Sequence, residues 1–152
     1  MELRDCVPDD LPAVRALLRE IGWEERYVQG QAGSLLKLQR DPHGQALVAV
    51  VERELAGFVT VLFAPWNGLA QLHGLAVAPR LQRRGVAAAL VAAAEGFARQ
   101  QGGRGVFVDT PVNNQVARAF YRAQGYAEAY VMPEYYAAGL DGVTFIKFFR
   151  PA

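Results

Sequence analysis

The sequence predicts an α/β fold, a mixed sheet with helices on both faces, in the order β-α-α-β-β-β-α-β-α-β-β. Three observations predict it. Helix-spaced apolar runs alternate with β-rich runs along 152 residues. The stretch Ala70–Thr110 reads as strand, turn, long helix and strand, the make-up of a right-handed parallel crossover. The hydrophobic content of 52% suffices for one core, so residues 1–152 read as one domain.

Each element has a local reason. Glu2–Cys6 is a short first strand, and Pro8-Asp9-Asp10 supplies turn and N-cap chemistry. Leu11, Val14, Leu17, Leu18 and Ile21 follow at helical spacing, with Gly22 as the stop. A second helical region spans roughly Glu24–Gln39, before the loop Asp41-Pro42-His43-Gly44. Ala46–Val51 and Leu55–Phe63 flank Glu52-Arg53-Glu54 as an antiparallel hairpin. Pro65-Trp66-Asn67-Gly68 turns into the strand Ala70–Val77. Gly85–Gln101 is a helix with Val86, Leu90, Val91 and Phe97 near one face, and Glu95 and Arg99 spaced to pair on its exposed side. Gly102-Gly103 ends it. Gly105–Thr110 is continuously apolar at Val106-Phe107-Val108, as a central strand is. Pro111-Val112-Asn113-Asn114 opens a helix to Gln124, with Gly125 at C′. Tyr126–Met132 and Val143–Phe149 are the last strands, joined by a loop, Pro133–Gly142.

Bulk properties narrow the function. A net charge of +1 argues against nucleic-acid or membrane binding by bulk electrostatics, although Arg80, Arg83 and Arg84 form a local basic patch. The single cysteine, Cys6, permits no intrachain disulfide and fits a reducing compartment; it reads as buried filler rather than a nucleophile. Met1–Asp5 lacks a signal peptide's apolar run. Ala87–Ala94 is interrupted by Glu95 and Arg99, well short of the about 20 residues a membrane span needs. The chain reads as soluble and cytoplasmic. No metal-ligand cluster or Ser-His-Asp order is apparent.

The densest signal is Val77-Ala78-Pro79-Arg80-Leu81-Gln82-Arg83-Arg84-Gly85-Val86-Ala87. A strand end, a basic turn and Gly-x-Ala at a helix start aim several N–H groups at one spot, at the positive end of the helix dipole. Gly85 and Ala87 have little side chain there, so a phosphate can approach the backbone. Gln82-Arg83-Arg84-Gly85-Val86-Ala87 resembles the acetyl-CoA pyrophosphate loop of the GCN5-related N-acetyltransferase (GNAT) family. A second stretch, from Asn114 through Ala117 and Tyr121 to Gly125-Tyr126, resembles that family's Asn-x-x-Ala-x-x-x-Tyr-x-x-x-Gly-Phe/Tyr signature. The element order is also similar, so the resemblance spans nearly the whole chain and is strongest from Gln71 to Tyr126.

The resemblance implies a set of roles. Leu75, Ala76 and Val77 would lie where the strand splays and pair with the pantetheine arm, the Val77 N–H serving as oxyanion donor. Gln82, Arg83, Arg84, Gly85, Val86 and Ala87 would hold the pyrophosphate. Asn114 would contact the pantetheine arm, with Ala117 and Phe120 lining the CoA wall. Tyr121 matches the family's general acid, or is a half-buried helix aromatic.

Acetyl transfer to an amine also needs a base, because an alkylamine has a pKa of about 10.4. Many relatives carry Glu on the strand before the loop; here that strand reads Gln71-Leu72-His73-Gly74-Leu75-Ala76-Val77. His73 is close to that position, and strand alternation puts it on one face with Leu75 and Val77. It is either a base near neutral pH, directly or through water, or a hydrogen-bonded strand histidine. Glu134 is a second candidate base. Tyr135 and Tyr136 resemble an acceptor-side loop, or pack beneath it; Trp23, Tyr27 and Trp66 are further aromatics for the same cleft.

The expected activity is acetyl-CoA-dependent N-acetyltransfer to a primary amine of a small metabolite, by direct attack in a ternary complex. The alternatives are a protein N-terminal or lysine acetyltransferase and a non-catalytic acyl-CoA-binding module. A nucleotide binder is disfavoured, since a Walker-type Gly-Lys-Ser/Thr is missing. Family habit implies a homodimer, with the apolar strand Thr144–Phe149 either at its interface or buried within one chain.

Overall fold

A computed structural model of the chain describes residues 1–150; the last two residues of the expected 1–152 domain lie outside the described residues. Seven strands form one sheet in the order β1-β2-β3-β4-β5-β7-β6. They are β1 (Glu2–Asp5), β2 (Gly44–Val51), β3 (Glu54–Ala64), β4 (Leu69–Val77), β5 (Gly105–Pro111), β6 (Ala127–Ala137) and β7 (Leu140–Phe148). The helices are α1 (Leu11–Ile21), α2 (Glu25–Arg40), α3 (Val86–Gln100) and α4 (Gln115–Ala123). The mixed α/β class and the element order are those read from the sequence.

Only β4 and β5 pair in parallel, because α3 crosses over between them. β2 and β3 are joined through Glu52 and Arg53, at φ +51° and +67°, the left-handed pair that matches the twist of a tight hairpin. α2 and α3 cover opposite faces. A Cβ on Gly57 would meet Leu90 of α3, whereas one on Gly74 would meet Gln31 of α2. α3 buries Val86, Leu90, Val91, Ala94 and Ala98 on the sheet. Burial of Leu90 alone contributes roughly 2 kcal/mol.

Three expectations need correction. Asp10 does not cap α1 with its side chain. Its carboxylate turns back to the Val7 N–H at 2.9 Å and to the Arg4 fork at 2.8 Å on both oxygens. A bidentate cation outcompetes a single amide for it. Glu95 is not on an exposed face: it is buried, accepting from the Tyr126 hydroxyl at 2.8 Å and the Lys147 ammonium at 3.1 Å. Tyr126, just past α4, and Lys147 of β7 close over this flank of α3, so its buried face is wider than one stripe. Pro133–Gly142 is not a loop. β6 runs on to Ala137 with a register break between Met132 and Ala137, where Glu134 takes φ +49°. Pro and Gly suggested a break that a bulged strand absorbs instead. Of the two placements open to the apolar final strand, pairing within the chain's own sheet holds: β7 lies between β5 and β6, and β6 is an edge. Among the described residues no helix is long and apolar enough to cross a membrane.

Candidate active site

β4 and β5 pair from Leu69↔Gly105 to Leu72↔Val108 and no further. Beyond that point they splay, leaving the β5-facing backbone groups of Leu75–Val77 without a strand partner. A cleft of about 600 Å³ opens there. Leu75, Ala76 and Val77 form one wall, Gln82, Arg83, Gly85, Val86, Ala87 and Ala88 the floor, and Asn114, Val116, Ala117, Phe120 and Tyr121 the other wall.

The floor is an anion cradle. Gly85 is the N-cap of the 15-residue α3 at φ +79°, and nothing lies within 4 Å of where a Cβ would stand. The Ala89 N–H closes the first helical bond on the Gly85 carbonyl at 3.0 Å. The preceding N–H groups, of Val86, Ala87 and Ala88, therefore lack helical acceptors beside the cleft. Arg83 takes φ +64° in the turn. Gln82 reaches back to the Val77 carbonyl at 3.4 Å, tying the cradle to the splayed strand. Not every expected cation takes part. Arg84 is exposed and outside the lining, and Arg80 is held by Glu54 and by Glu20 at 3.9 Å. Asn114 caps α4, its carboxamide oxygen accepting from the Ala117 N–H at 3.1 Å, and also borders the cleft.

Tyr121 is buried between Phe120, Tyr126 and Phe145, with ring centroids 5.3–5.9 Å apart. Burial raises its pKa well above the usual phenol value, so it stays protonated at neutral pH. A protonated phenol in the cleft wall is chemically a proton donor.

His73 departs from the expected face. Thr60 pairs with Gly74 and Val61 with Leu72, so His73 is the extra residue of a β-bulge. The bulge resets the alternation: Gly74 faces Gln31 of α2, and Val77 lies against Gly57 on the α3 side. His73 therefore does not share the cleft face of Leu75 and Val77. Its imidazole faces the opposite side of the sheet, where the Asp109 carboxylate partly offsets a lowering of its pKa by burial. The net effect leaves a neutral imidazole at neutral pH, competent to accept a proton.

Glu134 is not poised as a base. Its carboxylate accepts the Gly139 N–H at 2.9 Å, and its own N–H donates to Asp141 at 2.9 Å, closing the β6–β7 turn. Tyr135 and Tyr136 form an edge-to-face pair, centroids 4.9 Å apart, over Gly142, where a Cβ would come within 3.1 Å of both side chains. Tyr27 is exposed beneath the Arg26 guanidinium, one helical turn before Gln31. Trp23 packs on the core edge. Neither borders the cleft on the α3 side; Tyr27 lies on α2, on the opposite side of the sheet. Trp66 lies in the turn before Leu69, at the opposite end of β4, roughly 25 Å from Val77 at strand rise, which separates it from the site.

Sequence reasoning missed Asp109. It follows the last paired position of β5, accepts the Thr144 hydroxyl, and takes the Gln71 amide at 3.4 Å. A charge closing an apolar central-strand run was the available signal.

A family model described as "Acetyltransferase (GNAT) family" matches residues 12–126. The uncharacterised N-acetyltransferase YhfO of Bacillus subtilis is 28% identical over 137 residues, 84% of this chain and 91% of that protein. Streptothricin acetyltransferase of Streptomyces lavendulae is 31% identical over 88 residues, 57% of this chain and 47% of that protein. The crystal structure of an aminoglycoside 6'-N-acetyltransferase complexed with coenzyme A shares the fold, with a TM-score of 0.83 and 19% identity over 100% of this chain and 99% of that one. With a splayed strand pair, an anion cradle on the crossover helix and a family match over most of its length, the chain belongs to the acetyltransferase (GNAT) family and is an N-acetyltransferase.

Proposed function

We propose that the enzyme moves an acetyl group from acetyl-coenzyme A to the primary amine of a small molecule, by direct attack in a ternary complex. The carrying observation is one continuous cleft that joins the cradle at Gly85 to the β4–β5 splay, with Tyr121 in its wall. Acetyl-coenzyme A is the cofactor, and these residues fit it. The open space at Gly85 accepts a pyrophosphate, and the unpaired edge at Leu75–Val77 accepts an amide-bearing arm. Bound there, it supplies an acetyl thioester.

The chain's own groups do the rest. His73, neutral at working pH, takes the amine proton directly or through a water. The Val77 N–H is the oxyanion donor. Tyr121 holds a proton at Oη for the leaving sulfur. Direct attack is favoured because the one cysteine, Cys6, is buried on the β1 side with its thiol pKa pushed up to about 11, so it cannot carry the acetyl group. Support for a small acceptor comes from the streptothricin and aminoglycoside acetyltransferases among the similar proteins. We further take the enzyme to be a cytoplasmic homodimer. The exposed β6 edge, with Tyr130, Val131 and Met132 at its surface, supports the dimer, which sedimentation velocity checks.

The test is a thermal-shift titration with acetyl-CoA, CoA, ATP and NAD, on the wild type and Gly85→Glu. Stabilisation by the two CoA species alone is expected. A carboxylate in the cradle should weaken CoA binding about 100-fold or more. No shift with either CoA species sinks the reading. An acceptor screen follows, and a peptide N-terminus preferred over every small amine would replace its acceptor half.

A further inference from the structure

We infer that Asp109 is the acceptor-recognition residue, binding the ammonium of an amine that is cationic in solution, on the sheet face opposite the cofactor cleft. The inference rests on the N-acetyltransfer reading above and names the substrate class it takes.

Three geometric facts carry it. First, position: Asp109 stands one residue past Leu72↔Val108, where β4 and β5 separate. A group held there has access through the splay to the cleft. Second, surroundings: Asp109 pairs with Thr144, and two residues earlier on the same face of β7 is Gly142, over which Tyr135 and Tyr136 pack. Gln71, two residues before the bulge, reaches Asp109 from β4. One carboxylate, two phenol rings and the bulged His73 thus border a single patch.

Third, valence: the Thr144 hydroxyl and the Gln71 amide, with the Tyr135 hydroxyl beside them, occupy only part of the carboxylate's acceptor capacity, about four lone-pair sites. Among the described residues no Lys or Arg forms an ion pair with it, although the chain has 16 of them. A half-buried carboxylate on a central strand, oriented by neutral donors alone and without a Lys or Arg partner, is set to receive a cation from outside. The phenol side chains of Tyr135 and Tyr136 border the same carboxylate, the Tyr135 hydroxyl reaching it. An alkylammonium, the resting form of an amine with a pKa of about 10.4, answers all three.

Asp109→Asn tests it. The amide keeps the shape and still accepts from Thr144. Two probe amines separate charge from shape: 1,5-diaminopentane, cationic at neutral pH, and 2,2,2-trifluoroethylamine, neutral there. With saturating acetyl-CoA, the variant should raise KM for the diamine about 10- to 100-fold while kcat changes little. KM for the fluorinated amine should stay within about threefold of the wild type, and the CoA thermal shift should be unchanged. In the wild type, added NaCl should raise KM for the diamine only. Equal losses with both amines, no loss with the diamine, or a salt-insensitive diamine KM would each overturn the inference. Should the wild type show no acetyl transfer at all, the activity reading fails instead. Titration of the diamine into wild type and variant, followed by NMR of the tyrosine rings, then decides Asp109 without turnover: weaker binding to the variant sustains it, and equal binding or none to the wild type overturns it.

Discussion

On the α3 side of the β4–β5 splay, the cleft is lined by two short stretches of sequence, 75–88 and 114–121, mostly small or apolar residues with Gln82, Arg83, Asn114 and Tyr121 among them. On the α2 side, the facing patch is made of Gln71, His73, Asp109, Tyr135, Tyr136 and Thr144, drawn from four strands. The first side offers the free N–H groups at the start of α3, whose placement any small residue preserves. The second offers a carboxylate, an imidazole and phenol side chains, which one substitution can rewrite. A cofactor common to many enzymes suits the first construction, and an acceptor that differs between enzymes suits the second.

Substitutions on either side test that division, starting with the largest expected effect. Tyr121→Phe keeps the aromatic packing and removes only the Oη proton. We expect kcat to fall about 10²–10³-fold with CoA affinity nearly unchanged, as steady-state and thermal-shift measurements would record. A matching loss of CoA affinity would make Tyr121 a binding wall and nothing more.

Beneath the same wall, Glu95 joins α3 to the start of β6 through Tyr126 and to β7 through Lys147. Glu95→Ala leaves the ammonium half-buried and unpaired, and should cost about 3 kcal/mol in urea unfolding. A loss below about 1 kcal/mol would show that packing, not the ion pair, anchors α3.

His73→Gln concerns the other side, and about a tenfold loss of kcat/KM at neutral pH is expected. The folded pKa of His73 is lowered, so in the wild type the neutral, proton-accepting form persists below pH 6.5, the ordinary value. The acid limb of the wild-type kcat/KM profile should therefore lie below that value. It should vanish in the variant, whereas retention of the limb would assign it to another group.

Legibility followed the same line. The cradle could be read because Gln82-Arg83-Arg84-Gly85-Val86-Ala87 is contiguous, and a helix N-terminus acts through its own neighbours. Even there, a basic run does not say which cations face inward: Arg83 lines the cleft, whereas Arg84 does not. On the acceptor side His73 could be singled out, but not its direction. Strict alternation assumes an unbroken register, and the bulge opposite Thr60–Val61 breaks it. Glu134 looked like a base in a loop, yet its carboxylate belongs to the turn it closes. Asp109 was passed over because its partners, Thr144 and Gln71, lie 35 and 38 residues away.

By itself the sequence determined the order of strands and helices, the helix stop at Gly22, the hairpin at Glu52-Arg53, and the start of α3 behind Gly85. Each depends on residues within a few positions of one another, where periodicity, caps and backbone preferences act directly. Only the tertiary structure decided that Glu95 is buried, that β6 is an edge, where β4 and β5 part, and which face His73 takes. Those outcomes depend on pairing register and on layers closing over one another, and contacts between distant segments leave no local pattern to read.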